Sequence, residues 1–179
     1  MDDLNNNYRR VCGITIVNKS LILSDKDKQE LSKYAESEKP YESCAILIGN
    51  EDESNWVVKK MFLTENTAKS KIAFTISPDE EIRVDQIAKE LDMEIICIFH
   101  SHPESEARPS ETDKKFMGVN PFPWIIYSGT TKEMNCFILE NENVKQIPIT
   151  ESVSYTHLRA HETLRYRVRR GGGGKKKRG

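Results

Sequence analysis

The sequence is poor in the features that define several large classes of protein. It has four cysteines in 179 residues, Cys12, Cys44, Cys97 and Cys136, and none of them forms a C-x-x-C pair. Scattered cysteines of this kind are typical of reduced, buried residues rather than of a disulfide framework. No apolar run is long enough to span a membrane, and the first ten residues are too polar for a signal peptide. We therefore expect a cytoplasmic protein with no membrane partner.

Basic residues are scarce outside the C-terminal end of the chain. Residues 153–179 hold nine of the 27 Lys and Arg residues and one of the 28 Asp and Glu residues. Residues 1–152 keep the other 18 basic and 27 acidic side chains, which gives them a formal net charge of −9. A domain this acidic lacks the positive patch with which proteins bind nucleic acid. We expect no nucleic-acid partner, and the charge favours neutral or basic protein partners.

The composition changes abruptly at residue 153, and the chain then ends in a glycine run and a basic run. A basic arm for nucleic acid and a disordered linker are two interpretations. We favour a third, because VSYTHLRAHET resembles the translation of a transposase-end sequencing adapter. Residues 153–179 are then a non-native tail, which we expect to be disordered. His157 and His161, spaced like a helical metal pair, are set aside with it.

Hydrophobic patterning in the remaining chain predicts an α/β (α+β) fold, a mixed β-sheet packed with helices. Apolar and β-branched runs predict strands at 11–17, 43–49, 56–63, 71–77, 94–100 and 123–129, and one or two more within 133–149. Caps at Ser24 and at Ser77 predict two helices between these strands. The core face of the second helix is predicted to consist of four residues: Ile82, Ile87, Ala88 and Leu91. We assign residues 1–10 to an N-terminal extension and residues 11–152 to a single domain.

The segment FHSHPESEARPSETD contains the only two histidines before the tail. Side chains alternate along a strand, so His100 and His102 should point to one side at the end of the 94–100 strand, while Cys97 should face the other side. Two imidazoles on one face are good first ligands for zinc. Pro103 should end the strand directly after them.

A second part of the same segment predicts a helix start. Ser110 fits an N-cap, and Asp113 falls in the first turn on the same side of the helix. Asp113 could then return as a third, oxygen ligand beside His100 and His102. Three protein ligands leave the fourth tetrahedral position open, as in catalytic zinc sites.

Each half of this pattern has an ordinary explanation when it is taken alone. A lone H-x-H is more often a surface pair or core filler, and Ser-x-x-Asp is usually a helix cap. The combination H-x-H-P-x6-S-x-x-D fixes five positions, which average residue usage would produce in about one chain in 100,000 of this length. The combination therefore favours a metal site.

The segment resembles the signature of the JAMM (MPN+) zinc metalloprotease family, a glutamate followed by H-S/T-H-P-x6-S-x-x-D. The family glutamate precedes a strand of the form E-x-C-G-x-L-x-G, which resembles ESCAILIG and falls on Glu42. Ala45 stands where the family often has glycine, a change that removes no catalytic group. By residue type alone, Glu42 would be an ordinary solvated carboxylate.

The resemblance implies a cytidine-deaminase-like fold of the JAB1/MPN type and one Zn²⁺ per chain, held by His100, His102 and Asp113. It implies Glu42 as the general base and Ser110 as the donor that stabilises the oxyanion. The chain is similar to the minimal archaeal and bacterial members, whose substrates are ubiquitin-like or sulfur-carrier proteins cut after their C-terminal glycines. Deconjugation and precursor trimming both stay open, as does the oligomeric state.

Two alternatives remain from the same resemblance. The first is a non-catalytic MPN scaffold for protein–protein interaction, although such relatives usually lose ligands that are all present here. The second is a RadC-like JAB domain protein, against which the acidic charge argues. A zinc nucleoside deaminase is excluded, because its P-C-x-x-C motif does not occur.

Overall fold

The computed structural model describes residues 19–151. Its elements in chain order are β1 (Ser20–Ile22), α1 (Asp25–Ser37), β2 (Cys44–Glu51), β3 (Asn55–Thr64), α2 (Pro78–Glu90), β4 (Glu94–His102), α3 (Glu111–Val119), β5 (Trp124–Ser128), β6 (Met134–Glu140), β7 (Asn143–Ile147) and β8 (Ile149–Thr150). The strand predicted at 11–17, the extension at 1–10 and the tail at 153–179 lie outside the described residues.

The eight strands form one mixed sheet in the order β7-β6-β5-β4-β2-β3-β1-β8. β4 pairs antiparallel with β2 and parallel with β5. The remaining parallel pairs are β1 with β3 and β1 with β8. β4, which carries the two histidines, therefore lies inside the sheet and has a neighbour on each side. The fold class confirms the predicted mixed sheet packed with helices.

Helices cover both faces of this sheet. On one face Leu31 and Ala35 of α1 pack with Leu47, Phe99 and Ile125. On the other face, Val84 and Ala88 of α2 and Met117 of α3 pack with a second apolar cluster, whose strand members include Ile46, Ile98, Trp124 and Ile126. Burial of both sheet faces explains why β2 and β4 read as nearly continuous apolar runs.

The predicted helix starts are confirmed, but the predicted core face of α2 is partly wrong. Ser24 and Ser77 are N-caps whose hydroxyls accept bonds from Asp27 N and Glu80 N. In α2 the buried residues are Val84 and Ala88.

Two of the four residues predicted for that face are exposed instead, Ile82 by 56% and Leu91 by 46%. Ile82 lies two residues before Val84, which places it about 200° around the helix axis from the buried side. Leu91 is the C-cap and no longer belongs to the helical face.

The strand predicted at 71–77 is also wrong, because these residues form no strand. The segment lies in the loop between β3 and α2, and the side chain of Asn66 binds its backbone at Ala73 O and Thr75 N. These polar groups are therefore satisfied by a side chain rather than by a neighbouring strand. The apolar alternation that suggested a strand instead reflects inward packing of Phe74 and Ile76.

Within residues 19–151, no helix is both long and apolar enough to cross a membrane.

Candidate metal centre

Both histidines lie at the C-terminal end of β4. His100 and His102 are two residues apart, so the pleat of the strand directs both side chains to the face covered by α2 and α3. The ring of His100 accordingly lies against Trp124, with 5.9 Å between ring centroids. Cys97 packs on the opposite face, which confirms its predicted orientation. The strand ends at His102, so two imidazoles stand side by side at the margin of the core.

The start of α3 brings a carboxylate to the same place. Ser110 is the N-cap, as predicted, and its hydroxyl accepts a bond from Asp113 N at 3.1 Å. In return, Asp113 Oδ2 accepts a bond from Ser110 N at 2.6 Å. This reciprocal capping box fixes the carboxylate in the first turn. The cap and the third predicted ligand are thus one local structure.

Donor atoms of three residues converge between these elements: one nitrogen of each histidine and the two carboxylate oxygens of Asp113. Nε2 of His100 lies 3.1 Å from Nε2 of His102. Asp113 Oδ1 is 3.3 Å from the first nitrogen, and Asp113 Oδ2 is 3.4 Å from the second. Ligand atoms about 2.0–2.1 Å from a tetrahedral zinc ion lie about 3.3 Å from one another. The spacing and the N, N, O donor set therefore fit a zinc ion.

The rings are oriented by different contacts. Nδ1 of His102 lies 3.0 Å from the backbone carbonyl of Glu106, in the segment that links β4 to α3. The ring of His100 is stacked on Phe74, with a centroid separation of 4.8 Å and an interplanar angle of 25°. Among the described residues no hydrogen-bond partner reaches Nδ1 of His100. Packing therefore holds one ring, and a hydrogen bond holds the other.

Burial and mutual charge shift the pKa of every member of the cluster. Burial lowers the pKa of His100, and Asp113 only partly opposes this. Burial also acts to lower the pKa of His102, but the bonds to Asp113 and to the Glu106 carbonyl outweigh it and raise the value. Burial acts to raise the pKa of Asp113, and the two histidines hold it well below its usual range. Asp113 is thus an anion facing two ring nitrogens, an arrangement that a cation would stabilise.

Glu42 lies beside the cluster although it is 58 positions before His100 in the sequence. It immediately precedes the β2 region, in which Cys44 pairs with His100 on β4. Its Oε1 is 4.0 Å from Nε2 of His102, and the residue is buried. Burial raises the pKa of Glu42 to about 7, with His102 lowering it and Asp113 adding to the rise. The structure therefore places a carboxyl group with a pKa of about 7 directly beside the cluster.

A pair of buried serines ties the two halves of the site together. Ser101, between the histidines, accepts hydrogen bonds from Ser43 N at 2.9 Å and from the Ser43 hydroxyl at 3.0 Å. Its own N–H donates to Ser43 O at 3.0 Å. Glu42 precedes Ser43, so these three bonds fix its backbone relative to both histidines.

An apolar cavity of about 220 Å³ opens beside the cluster. Phe74 and Trp124, which contact the His100 ring, also form part of its wall. The remaining lining is mostly aliphatic and aromatic, with Thr75, Glu81 and Asn120 as polar exceptions.

The three cysteines in the described part of the chain are buried and unpaired: Cys44, Cys97 and Cys136. Burial raises the pKa of Cys44 to about 11 and holds that of Cys97 well above its usual range. A thiol nucleophile requires a lowered pKa. Cys44 and Cys97 are therefore structural residues.

Several residues of the site were not identified from the sequence: Ser43, Asn66, Phe74 and Glu106. Glu106 acts through its backbone carbonyl, and any residue type carries that group. Phe74 was assigned to a strand, and its contact with His100 depends on the path of a loop. The feature that distinguishes Asn66 is that it is a buried polar residue. Its local sequence does not show that it is buried.

Comparison with known proteins matches the arrangement to one family. Residues 25–140 match the family described as prokaryotic homologs of the JAB domain. The desampylase of Pyrococcus furiosus is 28% identical over 108 residues, which is 60% of this chain and 74% of that protein. The CysO-cysteine peptidase of Mycobacterium tuberculosis is 28% identical over 82 residues, 46% of this chain and 55% of that protein.

A solved structure shares the fold. The solution structure of a protein from Desulfitobacterium hafniense aligns with a TM-score of 0.66 and 25% identity, over 74% of this chain and 92% of that chain. The family match spans more than half of the sequence and includes Glu42, both histidines and Asp113. The chain belongs to the prokaryotic JAB-domain family, within the JAMM/MPN group that its H-x-H-P-x6-S-x-x-D segment resembles.

Proposed function

We propose that the protein is a zinc-dependent metallopeptidase that hydrolyses amide or isopeptide bonds after the C-terminal glycines of ubiquitin-like or sulfur-carrier proteins. The observation that carries this proposal is the convergence of three buried residues, whose donor atoms lie 3.1–3.4 Å apart in pairs, beside the Glu42 carboxyl group. Relatives named desampylase and CysO-cysteine peptidase support the reaction class. The substrate class follows from the resemblance to the JAMM family.

His100, His102 and Asp113 would hold the ion, one per chain, through the three donor atoms that face one another. When bound, zinc supplies Lewis-acid activation of a water molecule and of the scissile carbonyl. The carbonyl of Glu106 keeps His102 oriented with Nε2 toward the ion. Three protein ligands leave room for water or substrate, the pattern of a catalytic rather than a structural site.

Glu42 is the proposed general base and acid. Its pKa of about 7, raised by burial, allows it to accept a proton from the attacking water and release it again at neutral pH. It lies next to the cluster without belonging to the converging donor set. After the attack, the same carboxyl group hands the proton to the leaving amine. No acyl-enzyme is required, in agreement with the inert cysteines.

Ser110 is proposed to stabilise the negative charge that develops on the carbonyl oxygen. Its hydroxyl oxygen already accepts the bond from Asp113 N. That bond fixes the oxygen and leaves the hydroxyl hydrogen free to donate toward the substrate. Capping and oxyanion stabilisation thus use opposite sides of one hydroxyl group.

The same arrangement favours the hydrolase over a non-catalytic scaffold. A scaffold needs neither a carboxyl group with a raised pKa nor a neighbouring set of three metal donors. Retention of all four groups within a few ångströms of one another supports a reaction.

The decisive experiment uses a ubiquitin-fold protein that ends in Gly-Gly, joined to a reporter peptide either linearly or through a lysine side chain. Zinc-loaded protein should cleave directly after the second glycine. A strong chelator should abolish cleavage, and added zinc should restore it. Comparison of the two linkages separates precursor trimming from deconjugation.

Glu42→Gln is the matched control, because it keeps the volume of the side chain and leaves the three donors intact. We expect it to retain about one zinc per chain and to lose roughly 100- to 10,000-fold in kcat, the usual range for a lost general base. A zinc-loaded wild-type protein that cleaves neither linkage would overturn the proposed function.

A further inference from the structure

We propose that Asn66 is a positioning residue that sets the location of Glu42 relative to the histidines. This inference rests on the proposed function of Glu42 as the general base. Asn66 lies at the start of the loop between β3 and α2, residues 65–77, which we call the Asn66 loop. Its side chain belongs to none of the groups that would contact the ion or the reacting carbonyl.

The side-chain amide of Asn66 makes the hydrogen bonds of which an amide is capable, although the residue is only 5% exposed. Its Nδ2 donates to Glu42 O at 2.9 Å and to Ala73 O at 3.0 Å. Its Oδ1 accepts from Ala68 N at 3.1 Å and from Thr75 N at 3.0 Å. All four partners are backbone groups, so one side chain connects positions 68, 73 and 75 of the loop to Glu42.

The backbone of Glu42 is bound on both sides by the same loop. Glu42 N donates to Ser70 O at 2.9 Å, and Glu42 O accepts from Asn66. The next peptide N–H, that of Ser43, donates to Ser101 on the histidine strand. The direction in which the Glu42 side chain leaves the backbone therefore depends on the Asn66 loop and on β4 together.

The Asn66 loop also contacts the other half of the site. Phe74, next to the bonded residues Ala73 and Thr75, stacks on the ring of His100. The buried amide of Asn66 thus connects the backbone of Glu42 to Phe74, which packs against His100. Loss of the amide would remove a hydrogen bond from the Glu42 backbone directly. It would affect the His100 ring only indirectly, through the position of Phe74.

These contacts predict a specific kinetic effect. Displacement of a reacting group by about 1 Å can reduce turnover by about 100-fold. Asn66→Ala should lower kcat by about 10- to 100-fold, with KM changed by less than about twofold. Zinc content should stay near one per chain, because both histidines and Asp113 remain on β4 and α3.

A double-mutant cycle tests whether Asn66 acts through Glu42. If it does, Asn66→Ala should reduce kcat strongly in the wild-type background but by less than about twofold in the Glu42→Gln background. Asn50→Ala is the matched control, because Asn50 Nδ2 donates to Asp92 O at 3.1 Å near the opposite end of β2. It should leave kcat unchanged.

Asn66→Asp provides a second variant if the alanine variant does not fold. It keeps the volume and both accepted bonds, and it loses the donated bonds to Glu42 O and Ala73 O, so it should show the same non-additive loss. Equal fold-losses in both Glu42 backgrounds, or a rise in KM alone, would overturn the inference while leaving the proposed function intact. A zinc-loaded wild-type protein without hydrolysis would instead overturn both.

Discussion

Nδ1 of His102 lies 3.0 Å from the backbone carbonyl oxygen of Glu106, and this contact fixes the tautomer of the ring. A carbonyl oxygen can only accept a hydrogen bond, so Nδ1 keeps the hydrogen of the neutral ring, and Nε2 offers a lone pair once it has lost its own proton. That lone pair faces His100 and Asp113. The segment between β4 and α3 therefore orients one of the three proposed ligands.

The first prediction concerns zinc content. Replacing both histidines, His100→Ala with His102→Ala, removes two of the three converging donors. We expect about one zinc per chain in the wild-type protein and nearly none in the double variant, measured by elemental analysis of protein dialysed against a weak chelator. The matched control is Cys136→Ala, on the opposite face of the sheet, which should keep its zinc. Equal zinc in the double variant and the wild-type protein would contradict the site.

The second prediction separates helix capping from oxyanion stabilisation. Ser110→Ala and Ser77→Ala each remove an N-cap hydroxyl that accepts a backbone N–H bond. Each should lower the free energy of unfolding by about 1 kcal/mol, measured by urea denaturation.

Only Ser110→Ala should also lower kcat, by about 100-fold or more, because an oxyanion donor is lost there. Each variant loses one N-cap, so the difference between their kcat values excludes the effect of the lost cap. If the two variants hydrolyse the fusion substrate at the same rate, Ser110 has no role beyond the cap.

The third prediction uses two glycines as a matched pair. Gly129 donates its N–H to His102 O, and a Cβ at this position would lie 2.4 Å from the backbone oxygen of Pro103. Gly129→Ala should therefore destabilise the fold by roughly 1–3 kcal/mol and weaken zinc binding, because the residue after His102 must move.

Gly118, in the last part of α3, has ordinary space for a Cβ, which would lie 3.8 Å from Leu139. Gly118→Ala should raise the free energy of unfolding by up to about 1 kcal/mol. Thermal unfolding of both variants measures the two effects. A change of the unfolding temperature in the same direction for both variants would contradict the difference in space around the two glycines.

The fourth prediction concerns the dependence of stability on pH. Hydrogen bonds from Lys132 and Lys39, with a further one from Tyr127, lower the pKa of Glu36 to about 2 from its ordinary 4.5. A carboxyl group with a lowered folded pKa stabilises the folded state above its unfolded pKa. That contribution is lost as the pH falls through the folded pKa.

Glu36→Gln should therefore lower the free energy of unfolding at pH 7 by a few tenths to about 1 kcal/mol, a magnitude set by solvent screening. The difference from the wild-type protein should shrink between pH 4.5 and pH 2. Urea denaturation at pH 7, 4.5 and 3 measures it. Glu30→Gln, exposed on the same helix, is the control and should show little effect at any of these pH values. A constant difference for Glu36→Gln would contradict the prediction.

The parts of the site that could be predicted from the sequence are those with local causes. The strand period places His100 and His102 on one face, and a helix cap places Asp113 within a turn of Ser110. Glu42 was identified only through the family resemblance. Its proximity to His102 comes from the pairing of β2 with β4, which no local pattern encodes.

The wrong predictions concern positions whose structure depends on contacts distant in the sequence. Residues 71–77 have the alternation of a strand, but the backbone bonds of the loop are made by the Asn66 amide. Likewise, Ile82 was assigned to the core face of α2, whereas Val84 occupies it. In both cases a long-range packing choice overrode a short-range pattern, and only the folded chain reveals it.

The three converging donors stand on elements of unequal stability. β4 has three strands beyond one side and four beyond the other, so its amide hydrogens should exchange with solvent only when the whole sheet opens. α3 is nine residues long and leaves Phe116 and Val119 largely exposed, so brief fraying should dominate its exchange. Release of Asp113 therefore requires α3 and its capping box to open, whereas both imidazoles stay in place on β4. The dissociation rate of a bound ion is then expected to follow the opening rate of α3 rather than the unfolding rate of the protein.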